Sequence, residues 1–250
     1  MSDFTGKAGL VTGAGTGIGR ASAIAFGARG AAVGVLDVRA EEAAETARLV
    51  EEAGGRALAV TVDVGDEASV AAAVTAVVDA FGGLDFAHNN AGIMGGNALI
   101  QDLAVEDWDR MIRVNLTGVF FCMKHELPHM VARGGGAIVN TSSNAGLYAV
   151  AGMPAYVASK HGVVGLSKAA AVDYGKHGIR VNTLCPGSTQ TPMLEAYTHG
   201  TDGVAARVNA IPLGRLGQPD EVALGAVWLC SDEASFATGI SMSLDGGRRA

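Results

Sequence analysis

No stretch of this 250-residue chain reads as a segment for export or for crossing a bilayer. It starts Met-Ser-Asp-Phe-Thr-Gly-Lys, without the basic and then apolar pattern of a secretory leader, and no apolar run reaches the ~20 residues of a membrane helix. A cytoplasmic location with no membrane partner is therefore expected. Cysteine is scarce: Cys122, Cys185 and Cys230 are odd in number, far apart and each set among apolar neighbours. That pattern suits core thiols and argues against disulfides and against a zinc or other metal site. Charged residues make up only 17% and the net charge is −7. No cluster of Lys and Arg could neutralise a run of phosphates, so nucleic acid is not an expected partner. No linker, composition break or repeat divides the chain, and its length is ordinary for one α/β unit, residues 1–250.

Apolar residues reach 49%, enough for a large core, and the 36 glycines are about double the usual ~7%, which suits tight turns and close packing of helix on sheet. Runs rich in Val, Ile and Leu recur at residues 8–11, 32–36, 57–62, 84–87, 137–140, 181–184 and 240–244, with helical patterns such as 41–53 and 67–81 between them. Strand and helix in alternation, with strands apolar throughout, predict a parallel sheet covered on both faces. The expected fold class is α/β, a doubly wound sheet of about seven strands in a single domain. Two stretches depart from alternation. Residues 105–133 are too long for one average crossover helix and carry Asn115 in the middle. Residues 188–211 are helical in composition where a connection should be short, and segments of that length are usually lids or binding elements. They are read as an insertion over a substrate site, with Met193, Leu194, Tyr197 and Ile211 available to touch the substrate.

The residues with most chemical meaning are Tyr156 and Lys160, four apart in a segment, 155–176, that reads as helix, so both side chains leave one face. A free phenol titrates near ~10, and exchanging its proton near neutrality calls for a nearby positive charge that stabilises the phenolate. Lys160 is placed to supply it. Ser143, thirteen residues before Tyr156, adds a hydrogen-bond donor, and the three together suit redox chemistry on alcohols and ketones. Alone, Tyr-x-x-x-Lys also describes many surface helices.

Gly13, Gly17 and Gly19, with Thr16 and Ile18 among them, follow the first predicted strand and open the next helix. In that context Gly13 allows the turn, Gly17 lets backbone approach a pyrophosphate and Gly19 lets helix pack on strand, with phosphate charge at the helix N-terminus. Asp37 ends the second predicted strand, where a carboxylate accepts hydrogen bonds from both ribose hydroxyls of an adenosine and repels a 2′-phosphate.

In order along the chain stand Thr12-Gly-Ala-Gly-Thr-Gly-Ile-Gly19, Asn89-Asn90-Ala91-Gly92, Asn115, Ser142-Ser143, Tyr156-x-x-x-Lys160 and Pro186-Gly187. This series, over residues 7–247, resembles the short-chain dehydrogenase/reductase family, as does the spacing Gly-x-x-x-Gly-x-Gly. The resemblance implies a Rossmann fold. It implies that Asp63 and Val64 meet the adenine, that Asn90, Ala91 and Gly92 border the adenosine, and that Lys160, beside Tyr156, holds the nicotinamide ribose. It also implies that Pro186, Gly187, Thr189 by backbone and Thr191 by hydroxyl grip the carboxamide, fixing which ring face reacts. The family's thirteen-residue gap selects Ser143 over Ser142, and Asn115 matches the asparagine that holds a water linking Lys160 to solvent. Thr16 and Val38 are neutral where NADP-preferring members carry Lys or Arg, so the expected cofactor is NAD; Arg39 complicates this. His88 departs from the apolar residue expected there and is read as a packed histidine on the adenosine side. The family's tetramers pair helices corresponding to 105–133 and 155–176, so a homotetramer is expected, with a dimer as fallback.

The expected function is NAD-dependent interconversion of a secondary alcohol and a ketone, with Tyr156 as general acid/base. The alternatives are an acyl-carrier-type 3-oxoacyl reductase, which usually takes NADPH, and a non-catalytic NAD-binding regulator. The substrate is expected to be a small neutral alcohol or ketone, because the positions expected to line its pocket, Met94, Ala145, Gly146, Met153, Met193 and Leu194, offer no fixed cation.

Overall fold

The computed structural model describes residues 2–198 and 201–250, with the backbone alone at 201 and 202, and arranges seven parallel strands in one sheet. The strands are β1 (Ala8–Thr12), β2 (Ala32–Asp37), β3 (Arg56–Thr61), β4 (Phe86–Asn89), β5 (Gly136–Thr141), β6 (Ile179–Pro186) and β7 (Ser241–Leu244), in the order β3-β2-β1-β4-β5-β6-β7. Helices α1 (Gly17–Gly27), α2 (Ala40–Glu52), α3 (Glu67–Phe81), α4 (Val105–Ile112), α5 (Gly118–Arg133), α6 (Pro154–Tyr174), α7 (Pro192–Thr198), α8 (Thr201–Asn209) and α9 (Pro219–Cys230) connect them. No helix among the described residues is long and apolar enough to cross a membrane.

Successive side chains of a strand point to opposite faces, and this builds two cores. Leu10, Leu36 and Ile138 join Val74 and Val77 of α3, Met130 of α5 and Val163 of α6 on one face. Their neighbours Val11, Val35 and Val139 join Phe26 of α1 and Val222 and Val227 of α9 on the other. The Phe26 and Phe86 rings stack at 4.3 Å, and Phe4 meets both edge-on at 5.1 and 5.3 Å. Apolar strands thus reflect cover on both sides. Cover is thinner at the rims, where β3 mixes exposed and half-buried residues and β7 is half-buried throughout.

Residues 105–133 do not form one helix. α4 and α5 are joined by a π-helical turn, Arg113–Thr117, and Asn115 in that turn is fully buried. The one extra residue in the turn carries Asn115 inward, toward the chain following β4. Strand order reverses between β1 and β4, whose following loops diverge and open a crevice at the carboxyl edge of the sheet, where ligands bind in open α/β sheets.

Cys122, Cys185 and Cys230 are free, buried thiols, as expected. One buried acid carries no signal in the sequence pattern. Glu126 of α5 is fully buried, and its Oε2 accepts a hydrogen bond from Asn89 Nδ2 at 3.0 Å. Asn89 also donates to Asn140 Oδ1 at 3.0 Å, and Asn140 to Ser167 Oγ at 2.9 Å, so the chain of polar contacts stitches β4, β5, α5 and α6. Burial pushes the Glu126 carboxyl up to about 8, although the Asn89 hydrogen bond pulls the other way. The folded chain therefore keeps a proton that the unfolded chain releases near ~4.3, and the stability this contributes is full below that pH and is lost as pH rises toward about 8. Glu126→Gln has a similar shape and no proton to lose. Its unfolding free energy minus that of wild type should climb between roughly pH 5 and pH 8, by up to ~1.4 kcal/mol per pH unit. Denaturant titrations giving parallel profiles would contradict this account.

Candidate active site

The loop from β1 to α1 is shaped by close approaches. Gly13 has φ +61°, in the left-handed region, and a Cβ there would sit 2.8 Å from Ala91 Cα. At Gly19 a side chain would run into the Gly13 carbonyl and lie 2.7 Å from Asn90 Nδ2. Asn90 clasps this loop: its N–H and that of Ala91 donate to Thr12 Oγ1 at 3.0 Å each, and its Nδ2 donates to the carbonyls of Thr12 and Gly13 at 3.2 and 3.3 Å. The first turn of α1 holds no acidic residue and no side-chain cap, so its N–H groups remain available to an anion.

At the end of β2, Asp37 is buried; its Oδ2 accepts from Gly15 N–H at 2.8 Å and its Oδ1 from Arg39 N–H at 3.0 Å. The Arg39 guanidinium stands 3.5 Å from Asp37 and 3.2 Å from Glu42 and donates to Thr16 Oγ1 at 3.2 Å. Asp63, after β3, accepts from Gly65 N–H at 2.8 Å, and Val64 packs beside Gly118.

A cavity of about 670 Å³ runs from Asp37 and Asp63, past Gly13, Gly17 and Asn90, to Ser143, Tyr156 and Lys160. Thr16, Ile18, Val64, Ala91, Gly92, Pro186, Gly187, Thr189 and Thr191 also line it. Of the site residues expected from sequence, two stand behind the wall. Gly19 acts through packing. Asn115 lies behind Gly92, its Oδ1 accepting from Ile93 N–H at 2.8 Å and its Nδ2 donating to Ile93 O at 2.9 Å.

Tyr156 and Lys160 leave one face of α6, both buried, with Lys160 Nζ 5.8 Å from the Tyr156 ring centroid and donating to Thr141 O at 2.9 Å. Burial pushes the Tyr156 phenol up, opposed by the Ser143 hydroxyl, and pulls the Lys160 ammonium down to about 8. Loss of water around both groups disfavours both charged forms. Ser142 is structural, as expected, its Oγ donating to Lys160 O at 2.8 Å. Gly146 does not line the cavity: it is the place where the chain passes Lys160, whose carbonyl a Cβ would meet at 2.6 Å.

His88 is fully buried, and burial takes its imidazole down to about 3, so the ring is neutral. Its Nε2 lies 2.8 Å from Thr141 Oγ1, whose proton goes to Asn90 Oδ1 at 3.3 Å, making Nε2 the donor. It packs under Thr141, which links it to Asn90. Among the described residues no three His, Cys, Asp or Glu side chains gather as a metal site.

The insertion at 188–211 forms α7 and α8; its residues 199 and 200 lie outside the described residues. Thr191 Oγ1 donates to Thr189 O at 3.4 Å and accepts from Leu194 N–H at 3.3 Å, so the segment is tied where α7 starts. Sequence reasoning missed Tyr148, Val150 and Arg248, which line the cavity from irregular segments without periodicity. The pocket expected to lack a fixed cation has two at its wall, Arg207 and Arg248.

A crevice long enough for a dinucleotide at the switch point of a doubly wound sheet, with a Tyr/Lys pair at its far end, defines a nicotinamide-dependent oxidoreductase. Residues 13–249 match the family model described as Enoyl-(Acyl carrier protein) reductase. The chain is 45% identical over 249 residues to a 2,5-dichloro-2,5-cyclohexadiene-1,4-diol dehydrogenase of Sphingobium indicum, covering 99% of this chain and 98% of that one. It is 43% identical over 243 residues to a cyclohexanol dehydrogenase of an Acinetobacter species, covering 97% and 95%. The solved structure of carveol dehydrogenase from Mycobacterium avium in complex with NAD superposes with a TM-score of 0.95 at 31% identity, covering 99% of both chains. The chain belongs to the short-chain dehydrogenase/reductase family.

Asn115 offers a structural test. Asn115→Leu would orphan the N–H and the carbonyl of Ile93 together, at ~1–3 kcal/mol for each group left unpaired, so unfolding free energy should drop by ~2 kcal/mol or more. A loss below ~0.5 kcal/mol in equilibrium denaturation would show that Ile93 finds other partners.

Proposed function

We propose that the protein is an NAD-dependent dehydrogenase that interconverts a secondary alcohol on a small ring with the matching ketone. The observation that carries this reading is the shared wall: Ser143, Tyr156 and Lys160 line the same cavity that ends at Asp37. The residues fit the cofactor. Gly13 lets the loop pass close against Ala91, α1 offers its N-terminal N–H groups to phosphate, and Asp37, bonded to Gly15 of the loop, presents a carboxylate to the cavity. When bound, the nicotinamide ring supplies or accepts the hydride.

The side chains handle the proton and the geometry. In ketone reduction, neutral Tyr156, the form that burial favours, gives its proton to the substrate oxygen while Ser143 donates a hydrogen bond to the same atom. In alcohol oxidation Tyr156 takes the proton back, and the ammonium of Lys160 favours that step electrostatically. Lys160 is anchored by Thr141 O, which aims it across the floor of the cavity. Thr189 and Thr191, tied to each other, border the nicotinamide end, Asn115 supports Ile93 and Gly92 beside Lys160, and the 188–211 segment acts as the lid.

For NAD over NADP, the support is Asp37. A 2′-phosphate would meet its buried carboxylate, and Arg39, the one nearby cation, is already shared between Asp37 and Glu42. The acyl-carrier-type 3-oxoacyl reductase alternative usually takes NADPH and so fits Asp37 less well. A homotetramer is the proposed assembly: an apolar groove on α5, α6 and the π turn, lined by Leu116, Phe120, Gly162, Gly165, Leu166 and Ala169, faces solvent in the single chain.

Tyr156→Phe removes only the hydroxyl, so NAD affinity by calorimetry should stay within about threefold while turnover of cyclohexanol falls by a hundredfold or more, on the ~10² to 10⁴ scale of acid/base catalysis. Near-normal turnover would pass the proton to another residue. Tight NAD binding by wild type with no ring alcohol oxidised and no ring ketone reduced would favour the regulator alternative instead. For the cofactor, wild type should prefer NAD at least tenfold in kcat/KM, about 1.4 kcal/mol, and Asp37→Ser with Val38→Arg should shift preference toward NADP. Equal use of both cofactors by wild type would refute the role of Asp37.

A further inference from the structure

The cavity wall is uneven in charge. Its two carboxylates, Asp37 and Asp63, stand together at the ends of β2 and β3, with Arg39 engaged beside them. Beyond Tyr156 the charged residues lining it are Lys160, Arg207 and Arg248, all cations, in a chain whose net charge is −7.

The two arginines reach this end from different segments, Arg207 from α8 and Arg248 from the tail after β7, and the fold binds those segments to each other. Leu213 N–H donates to Gly246 O at 3.1 Å, and Gly246 and Gly247 lie so close to Ile211 and Pro212 that a Cβ would sit 2.6 and 3.2 Å from them. A tyrosine contacts each guanidinium, through its ring at Arg207 and through its hydroxyl at Arg248. Arg207 lies 4.9 Å from the Tyr197 ring centroid, with Nη1 3.4 Å from Ser188 Oγ, and Arg248 Nε donates to the Tyr148 hydroxyl at 3.2 Å. Tyr197 packs in the same apolar group as Tyr156, Met94 and Met153, which puts Arg207 on the substrate side of the site. Stacking uses the flat face of a guanidinium and leaves its in-plane N–H groups for a planar anion, which Arg binds in a two-pronged fashion.

We propose that Arg207 and Arg248 read a carboxylate on the substrate, on the side of the ring away from the carbon that is oxidised. This rests on the dehydrogenase reading above and narrows its substrate class from a ring alcohol to a ring alcohol bearing a carboxylate. The ring lies against Met94, Val150, Met153 and Leu194, with its hydroxyl at Ser143 and Tyr156. The arginines specify and position; the chemistry stays with Tyr156.

The test compares cis- and trans-4-hydroxycyclohexanecarboxylate with their methyl esters and with cyclohexanol, at saturating NAD, on wild type, Arg207→Gln and Arg248→Gln, at low and high salt. In wild type the better acid should exceed its own ester at least tenfold in kcat/KM, and salt should narrow that ratio. Each variant should raise KM for the acid several-fold with a smaller change in kcat, and should pull the ratio of acid to ester toward one. The proposal is overturned if wild type handles the esters or cyclohexanol as well as the acids, or if the variants slow acid and ester alike. In that case oxidation of cyclohexanol would leave the dehydrogenase reading standing. If no ring alcohol is oxidised and no ring ketone reduced, the dehydrogenase reading itself fails and this proposal falls with it. The wild-type comparison of acid with ester needs no variant, so a misfolded mutant does not blunt it.

Discussion

The clasp between β1 and β4 is the constraint on which the site depends. Gly13 can pass within contact distance of Ala91 only because it has no side chain and a positive φ, and Asn90 fixes the approach with hydrogen bonds to both Thr12 and Gly13. Because these strands flank the point where strand order reverses, the same clasp sets the width of the crevice. From it the geometry propagates in two directions. Gly15, two residues on, holds Asp37 at the adenosine end, and the Oδ1 of Asn90 takes the Thr141 hydroxyl, next to the carbonyl that anchors Lys160. One asparagine therefore links the loop to the residue on which Lys160 rests.

Removal of water then decides the chemistry. Tyr156, Lys160, His88 and Glu126 are all buried, and each is moved toward its uncharged form: the phenol up, the ammonium down to about 8, the imidazole down to about 3, the carboxyl up to about 8. His88 and Glu126 end neutral and serve as hydrogen-bonding pegs in the sheet. Lys160 differs, because a base with a value of about 8 remains mostly protonated at neutral pH while being poised to respond to its neighbours. The phenol beside it is the group for which that poise matters.

Much of this was legible before any coordinates. Period and apolar content pointed to the parallel sheet, and the glycine loop and Asp37, each answering a local demand of backbone or charge, line one cavity. What escaped is non-local. The π turn at Arg113–Thr117 is a helix defect whose cause is Asn115 reaching Ile93, a contact across twenty-two positions. Nothing in the sequence pattern singles out Glu126, and the packing of α5 on the sheet shows that it is buried. Arg248 stands in a tail without periodicity and Arg207 in α8, and both line one cavity while Gly246 and Gly247 contact the chain after α8.

Helix α6 joins these levels. One face carries Tyr156 and Lys160 into the cavity, and Ser159, Val163 and Ser167 continue the buried side toward β5. Another carries Gly162, Gly165 and Ala169, small residues that leave a shallow apolar groove beside Phe120, which is itself nearly half exposed. Small residues let a second helix approach closely, so a neighbour seated there would press on the back of the helix whose front holds Tyr156 and Lys160. Gly162 already admits Leu116, whose Cδ2 a Cβ would meet at 2.7 Å, and Leu116 follows Asn115 in the π turn. The groove, the π turn and the support of Ile93 are thus contiguous, so cover on the groove would stiffen the wall beside Lys160 without touching the cavity itself.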